Sequence, residues 1–138
     1  MKKITVLITL LLTINMFAQE SKGITLTVVV ENVPNDQGKV SLGLFNEETF
    51  MKAGPIQSAV GKTTDRSVTL TLTNVQPGQY GISCFHDEND NDRMDFEANG
   101  MPKESYGISN NQISYGPPQW SDAKFEITDE DMEITIRM

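Results

Sequence analysis

Apolar residues in this chain recur at every second position, and that period constrains the fold more than any other feature. Ile24, Leu26, Val28 and Val30 alternate with Thr25, Thr27 and Val29, and Val40, Leu42 and Leu44 alternate with Ser41, Gly43 and Phe45. The same period returns at Val68, Leu70 and Leu72, at Tyr80, Ile82, Cys84 and His86, and at Phe125, Ile127, Ile134 and Ile136. Successive side chains of a strand point to opposite faces, so each run specifies a strand with one buried face. Gly-, Pro- and Asn-rich turns such as Val33-Pro34-Asn35-Asp36-Gln37-Gly38 separate the runs. No long stretch carries the 3.6-residue period of an amphipathic helix. The expectation is an all-β antiparallel sandwich of about seven strands, immunoglobulin- or prealbumin-like. A hairpin is expected between the first two strands and another, closing the fold, between the last two. Asn46 is expected to cap a short helical turn with Phe50 and Met51 inward, and the stretch from 56 to 63 to form an edge strand.

The strand ending at His86 runs directly into His86-Asp87-Glu88-Asn89-Asp90-Asn91-Asp92-Arg93-Met94-Asp95. Asp87, Asn89, Asn91 and Asp95 occupy positions one, three, five and nine of a loop, and Arg93 can offer its backbone carbonyl at position seven. Alternate residues of a turning segment point inward, and a hard cation needs several oxygens converging in this way. The spacing predicts a calcium site. Position six is Asp92 in place of glycine, and position twelve is Ala98 in place of a bidentate Glu, so Glu97, Glu104 or water must complete the shell. Two charged ligands predict weak binding, with a Kd on the order of 10⁻⁴–10⁻³ M. A solvated acidic turn without metal is the alternative.

The beginning of the chain reads as an export signal. Lys2 and Lys3 precede an apolar stretch from Ile4 to Ile14, too short to span a bilayer, and Met16-Phe17-Ala18 offers a cleavage site. The expected organisation is a signal peptide over 1–18 and one β-sandwich domain over 19–138. That places the protein in the periplasm or outside the cell, with no membrane insertion after cleavage. Without Lys2 and Lys3, nine basic residues face nineteen acidic ones, a net charge of −10. Such a surface repels nucleic acid and anionic membranes and suits divalent cations. Cys84 is the only cysteine, so no internal disulfide forms, and its place in an apolar alternating run reads as a small buried side chain.

Residues 99–120 show little periodicity, and an irregular segment of that length in a small domain is more often functional or firmly packed than idle. Tyr106, Asn110, Asn111, Tyr115 and Trp120, with His86, are the candidates for a surface that binds a protein or glycan. Burial of the aromatic rings over the end of the sandwich is the competing expectation. A hydrolase using His86 with Asp87 or Glu104 is the main alternative. The sequence has neither a GxSxG elbow nor an HExxH helix, and its single histidine excludes a zinc site built from several imidazoles. No catalytic residue is therefore assigned. A structural role in an exported assembly is the third reading.

Pro77-Gly78-Gln79-Tyr80 resembles the turn-and-strand signature of prealbumin-like and collagen-binding B-type sandwich modules. A longer set is more specific: His86-Asp87-Glu88-Asn89 with Asn91 and Asp95, Gly100-Met101-Pro102-Lys103-Glu104-Ser105-Tyr106-Gly107, Ser109-Asn110-Asn111, and Pro117-Pro118 with Asp122-Ala123 and Phe125. It resembles family twenty-one forty-one of the domains of unknown function, a group of small exported bacterial proteins. The resemblance implies a sandwich fold and export, and it brings no activity with it. The family commonly shows glycine where this chain has Asp92.

Overall fold

A computed structural model describes residues 23–138, and the expected signal peptide over 1–18 lies outside the described residues. Eight strands form: β1 (Ile24–Glu31), β2 (Lys39–Phe45), β3 (Gln57–Gly61), β4 (Val68–Val75), β5 (Gly78–Asp87), β6 (Tyr106–Ile108), β7 (Phe125–Ile127) and β8 (Met132–Arg137). One sheet has the order β4-β1-β8 and the other β3-β2-β5-β6, with β7 also pairing with β5. The all-β sandwich is as expected, with eight strands rather than about seven. One pairing departs from the antiparallel expectation, because β8 lies parallel to β1, from Leu26 opposite Met132 to Glu31 opposite Arg137.

Alternation places the core correctly. Leu26, Val28 and Val30 of β1 and Leu70 and Leu72 of β4 pack with Val40, Leu42 and Leu44 of β2 and Ile82 and Cys84 of β5. Each large aliphatic side chain so buried contributes roughly 1.5–3 kcal/mol to stability. Gly107 of β6 lies close against β8 of the other sheet. A Cβ there would stand 2.5 Å from Ile136 Cγ2 and 3.1 Å from the Arg137 carbonyl oxygen.

Two expected hairpins do not form. β1 and β2 lie in different sheets, and β7 pairs with β5 while β8 pairs with β1. A period of two fixes which face of a strand is buried, and says nothing of which strand lies beside it. The β1–β2 connection instead arches between the sheets. Val33 is fully buried, its N–H donates to the Arg66 carbonyl at 3.1 Å, and Arg66 Nε donates back to the Val33 carbonyl at 2.8 Å. The Asp36 carboxylate accepts from the amides of Asp65 and Arg66, both in the left-handed region with φ of 53° and 59°. The arch is thereby tied to the β3–β4 turn.

Residues 46–53 make the short helical turns expected there, with the Phe50 amide on the Asn46 carbonyl and the Ala53 amide on the Thr49 carbonyl, both at 2.9 Å. The Asn46 side-chain oxygen accepts from the Thr49 amide at 3.0 Å, as a cap does, and Phe50 is buried. Met51 was expected inward and is 55% exposed; its φ of 56° swings it away from the core. Phe50 joins Ile108, Ala123, Phe45 and Trp120 in a second small cluster over Gly81. A side chain at Gly81 would press on Trp120 and Phe50, at 3.2 and 3.3 Å. Within the irregular segment Gly107, Ile108 and Ser109 are buried and Trp120 is half-buried at the start of the four-residue helix α1 (Trp120–Ala123), while most of the rest is exposed. Among the described residues no helix is long and apolar enough to cross a membrane.

The acidic loop as a candidate functional site

β5 ends with two consecutive buried residues, His86 and Asp87, which breaks its alternation. A buried carboxylate must be fully hydrogen-bonded, and Asp87 is. Its two oxygens accept from the amides of Asn91 at 3.0 Å and Asp92 at 2.8 Å, and Lys39 Nζ lies 3.7 Å away. These bonds wind the chain back over Asp87. Asp90 and Asp92 take the positive φ values, 57° and 63°, that the turn demands, so Asp92 adopts the conformation glycine normally supplies at that position.

The residues at positions three, five and nine then meet. Asn89 Nδ2 donates to Asp95 Oδ2 at 2.7 Å, and Asn91 Nδ2 donates to both Asp95 oxygens at 2.9 Å. The Asn89 side-chain oxygen accepts from the Asn91 amide, and the Asn91 oxygen from the Arg93 amide. The hydrogen bond from Asn89 and then that from Asn91 hold the Asp95 carboxyl below the usual carboxylate range, with smaller help from Arg93 and Lys103. Arg93 Nε lies 3.8 Å from Asp95 Oδ1. The side chains of Asn89, Asn91 and Asp95 thus meet, and the Asp87 carboxylate is joined to them through the Asn91 backbone amide. A carboxamide carries its donor and its acceptor on opposite arms, so half a turn about its terminal bond exchanges them. Among the described residues no three His, Cys, Asp or Glu side chains gather as a metal group; this set consists of two carboxylates and two carboxamides.

Outside this ring the loop is braced. Glu104, one of the possible additional ligands, accepts with its two carboxylate oxygens from the Glu88 amide at 3.3 Å and the Asp95 amide at 3.1 Å, spanning both ends of the loop. Glu97 is exposed in a small separate turn, its amide on the Met101 carbonyl at 2.7 Å. Lys39 Nζ forms its shortest contact with Asp92 Oδ1 and lies 3.7 Å from Asp90, and the Asp92 bond raises the lysine's pKa. The β1–β2 arch docks on the same place. Asn35 Nδ2 donates to Glu88 at 3.0 Å, and Gly38, with φ of 65°, lies where a Cβ would overlap the Asp87 carbonyl. Asn35, Gly38 and Lys39 escaped the sequence reading, because nothing local links them to a loop some fifty residues away.

The binding surface expected from His86, Tyr106, Asn110, Asn111, Tyr115 and Trp120 does not assemble as one patch. His86 is buried, with Nε2 2.6 Å from the Gln37 carbonyl oxygen, and its own amide donates to the Ser105 carbonyl. Trp120 packs on Phe50. Asn110 Nδ2 donates to the carbonyls of Asp122 and Lys124, while the Asn111 side chain donates to the Thr135 carbonyl and accepts from the Arg137 amide. These asparagines spend their polar groups on the fold. Tyr106 and Tyr115 remain exposed, at 39% and 107%.

Fold and loop together define a small all-β sandwich domain with an Asn- and Asp-rich loop at the end of a central strand. The chain belongs to DUF2141, described as an uncharacterized protein conserved in bacteria, whose profile matches residues 28–135. That span runs from within β1 to within β8 and so takes in the whole sandwich. No curated protein and no solved structure matches the chain.

Proposed function

We propose that this chain is an exported binding or accessory module whose acidic loop is held in shape by calcium. One observation carries the reading: among the residues spaced as oxygen ligands in the sequence, Asn89 and Asn91 both bind the Asp95 carboxylate through their side chains, while the Asp87 carboxylate accepts from the Asn91 backbone amide. Lys39 balances Asp92 and Asp90, which lie outside the ligand spacing, and also stands 3.7 Å from one oxygen of Asp87 within it. Calcium drawn to Asp95 would turn the carboxamide oxygens of Asn89 and Asn91 inward, and the Arg93 carbonyl would join them. The site supplies charge neutralisation and rigidity; no reaction is assigned to it.

Binding is favoured over hydrolysis because the one imidazole is committed. A general base needs a free ring nitrogen facing a substrate, and the buried His86 spends Nε2 on a backbone carbonyl. A prealbumin-like ancestry belongs to the same proposal. It rests on Pro77-Gly78-Gln79-Tyr80, where the Tyr80 hydroxyl donates to the Gln76 carbonyl at 2.8 Å, four residues upstream. That contact resembles the tyrosine corner of sandwich domains.

Calorimetric melts with calcium and with chelator test the reading. At a Kd of about 0.1 mM, roughly 1 mM calcium adds about 1.4 kcal/mol, enough to raise Tm by several degrees. Magnesium has the smaller effect, since its rigid octahedral shell suits this ligand set poorly. An unchanged Tm across the calcium titration would show the loop to be an ordinary solvated turn. Export is tested separately, by finding the processed protein in the periplasmic or culture fraction.

A further inference from the structure

We infer that the cleft between β6 and residues 112–119 binds a neutral carbohydrate. This rests on the binding-module reading above and names the ligand class. Tyr106, Gln112, Ser114, Gln119 and Asp122 line the cleft, with Ile108 in its floor. Both ends of the segment are fastened: Asn110 and Asn111 bolt one to residues 122–124 and to β8, and Trp120 packs the other against Phe50. Between them, Ile113 and Tyr115 stand 92% and 107% exposed. Large apolar side chains held fully in water on a firmly anchored loop mark a contact surface.

The chemistry of the lining selects the ligand. The side chains of Gln112, Gln119 and Asp122 have no hydrogen-bond partner among the described residues, whereas the neighbouring Asn110 and Asn111 have spent theirs on the backbone. Carboxamides both donate and accept, a carboxylate accepts strongly, and paired hydroxyls of a sugar need both kinds of partner. The exposed ring of Tyr106 in the lining offers a flat apolar face for the C–H face of a pyranose, and Tyr115 stands exposed on the same segment outside the lining. No residue lining the cleft is basic, and the chain carries a net charge of −8, so an anionic ligand meets repulsion without a counter-charge. A lipid or other purely apolar ligand would leave the amides and Asp122 desolvated and unpaired.

Trp120, the only tryptophan, adjoins Gln119 and reports on the cleft by its fluorescence. The full chain is titrated to millimolar levels with cello-, laminari-, malto-, manno- and xylo-oligosaccharides, with polygalacturonate as the anionic comparison. A saturable response to at least one neutral series is expected. Tyr106→Ala and Gln119→Ala should each weaken it about tenfold, and Val60→Thr on the distant strand β3 should leave it unchanged. No response from any neutral sugar, or a response untouched by the cleft variants, overturns the inference. Photo-crosslinking through Tyr115 on intact cells supplies the other arm. Capture of a protein there, with no sugar response, overturns the carbohydrate assignment and leaves the binding-module reading standing. Calcium melts on the same samples report the acidic loop independently, so failure at one site is not mistaken for failure at the other.

Discussion

His86 Nε2 lies 2.6 Å from the carbonyl oxygen of Gln37, and this bond joins the β1–β2 arch to the strand that launches the acidic loop. A carbonyl only accepts, so the Nε2 nitrogen carries the proton. The next residues tighten the joint, with Gly38 against the Asp87 carbonyl and Lys39 among three aspartates. The loop is therefore held by an element distant in sequence, which is why its properties are tested best by variants on both sides of the joint.

Asp87 and Asp90 should separate cleanly. Removing the Asp87 carboxylate strips the amides of Asn91 and Asp92 of their acceptor at a fully buried position, a loss of about 2–4 kcal/mol. Asp90→Ala removes an exposed group whose partner Lys39 keeps other carboxylates, and should cost under about 1 kcal/mol. Denaturant unfolding measures both. Asp87→Ala should also abolish the calcium shift in Tm, and Asp90→Ala should keep it.

Lys39→Met is expected to act in opposite directions with and without metal. The ammonium shares Asp87 with the proposed ligand set, so its loss leaves the carboxylates less balanced in chelator and more attractive to a divalent cation. Calcium titration should show a lower Kd than wild type, while the Tm in chelator falls. Equal calcium affinity in the two proteins would remove Lys39 from the electrostatics of the site.

The pH dependence has a defined sign at each end. Asp95 has a folded pKa below its ordinary value, first through Asn89 and then Asn91, so its contribution is present above about pH 3.9 and lost as pH falls through the lower folded value. Lys39 has a folded pKa above its ordinary value, chiefly through Asp92, so its contribution is complete below about pH 10.4 and lost as pH rises through the folded value. Asp95→Asn should flatten the acid side of a Tm-versus-pH curve and leave the alkaline side unaltered.

Gly107 tests the closure of the sandwich. Gly107→Ala places a methyl group against Ile136 and should cost about 1–3 kcal/mol. Combining it with Ile136→Ala, which empties that space, should cost less than the sum of the single changes. Strict additivity in that cycle would mean that the two sheets do not meet at these residues.

Cys84 should resist thiol reagents in the native state. Burial pushes its pKa up to about 12, with the Gly107 carbonyl 3.6 Å from the sulfur. Labelling kinetics should follow global unfolding and accelerate with denaturant. Rapid native modification at pH 8 would place the thiol outside the core.

What the sequence determined by itself was every strand but β6, which falls in the segment without periodicity, together with the buried faces of the long strands and the spacing of Asp and Asn along the loop. Those are local properties: a period of two dictates which side chains share a face, and the spacing of Asp and Asn is written in the chain itself. The burial of Leu26 and Cys84 could be read for that reason. Tertiary structure alone decided which strands are neighbours, since β8 lies parallel to β1 and the β1–β2 arch joins two sheets in place of a hairpin. It also decided that Glu104 braces the loop, that His86 is a bolt, and that Asn111 fills its hydrogen bonds on β8 while Gln112 beside it stays free. Each of these depends on a partner far along the chain. A side chain's chemistry specifies what it can bond to, and only packing specifies what is within reach.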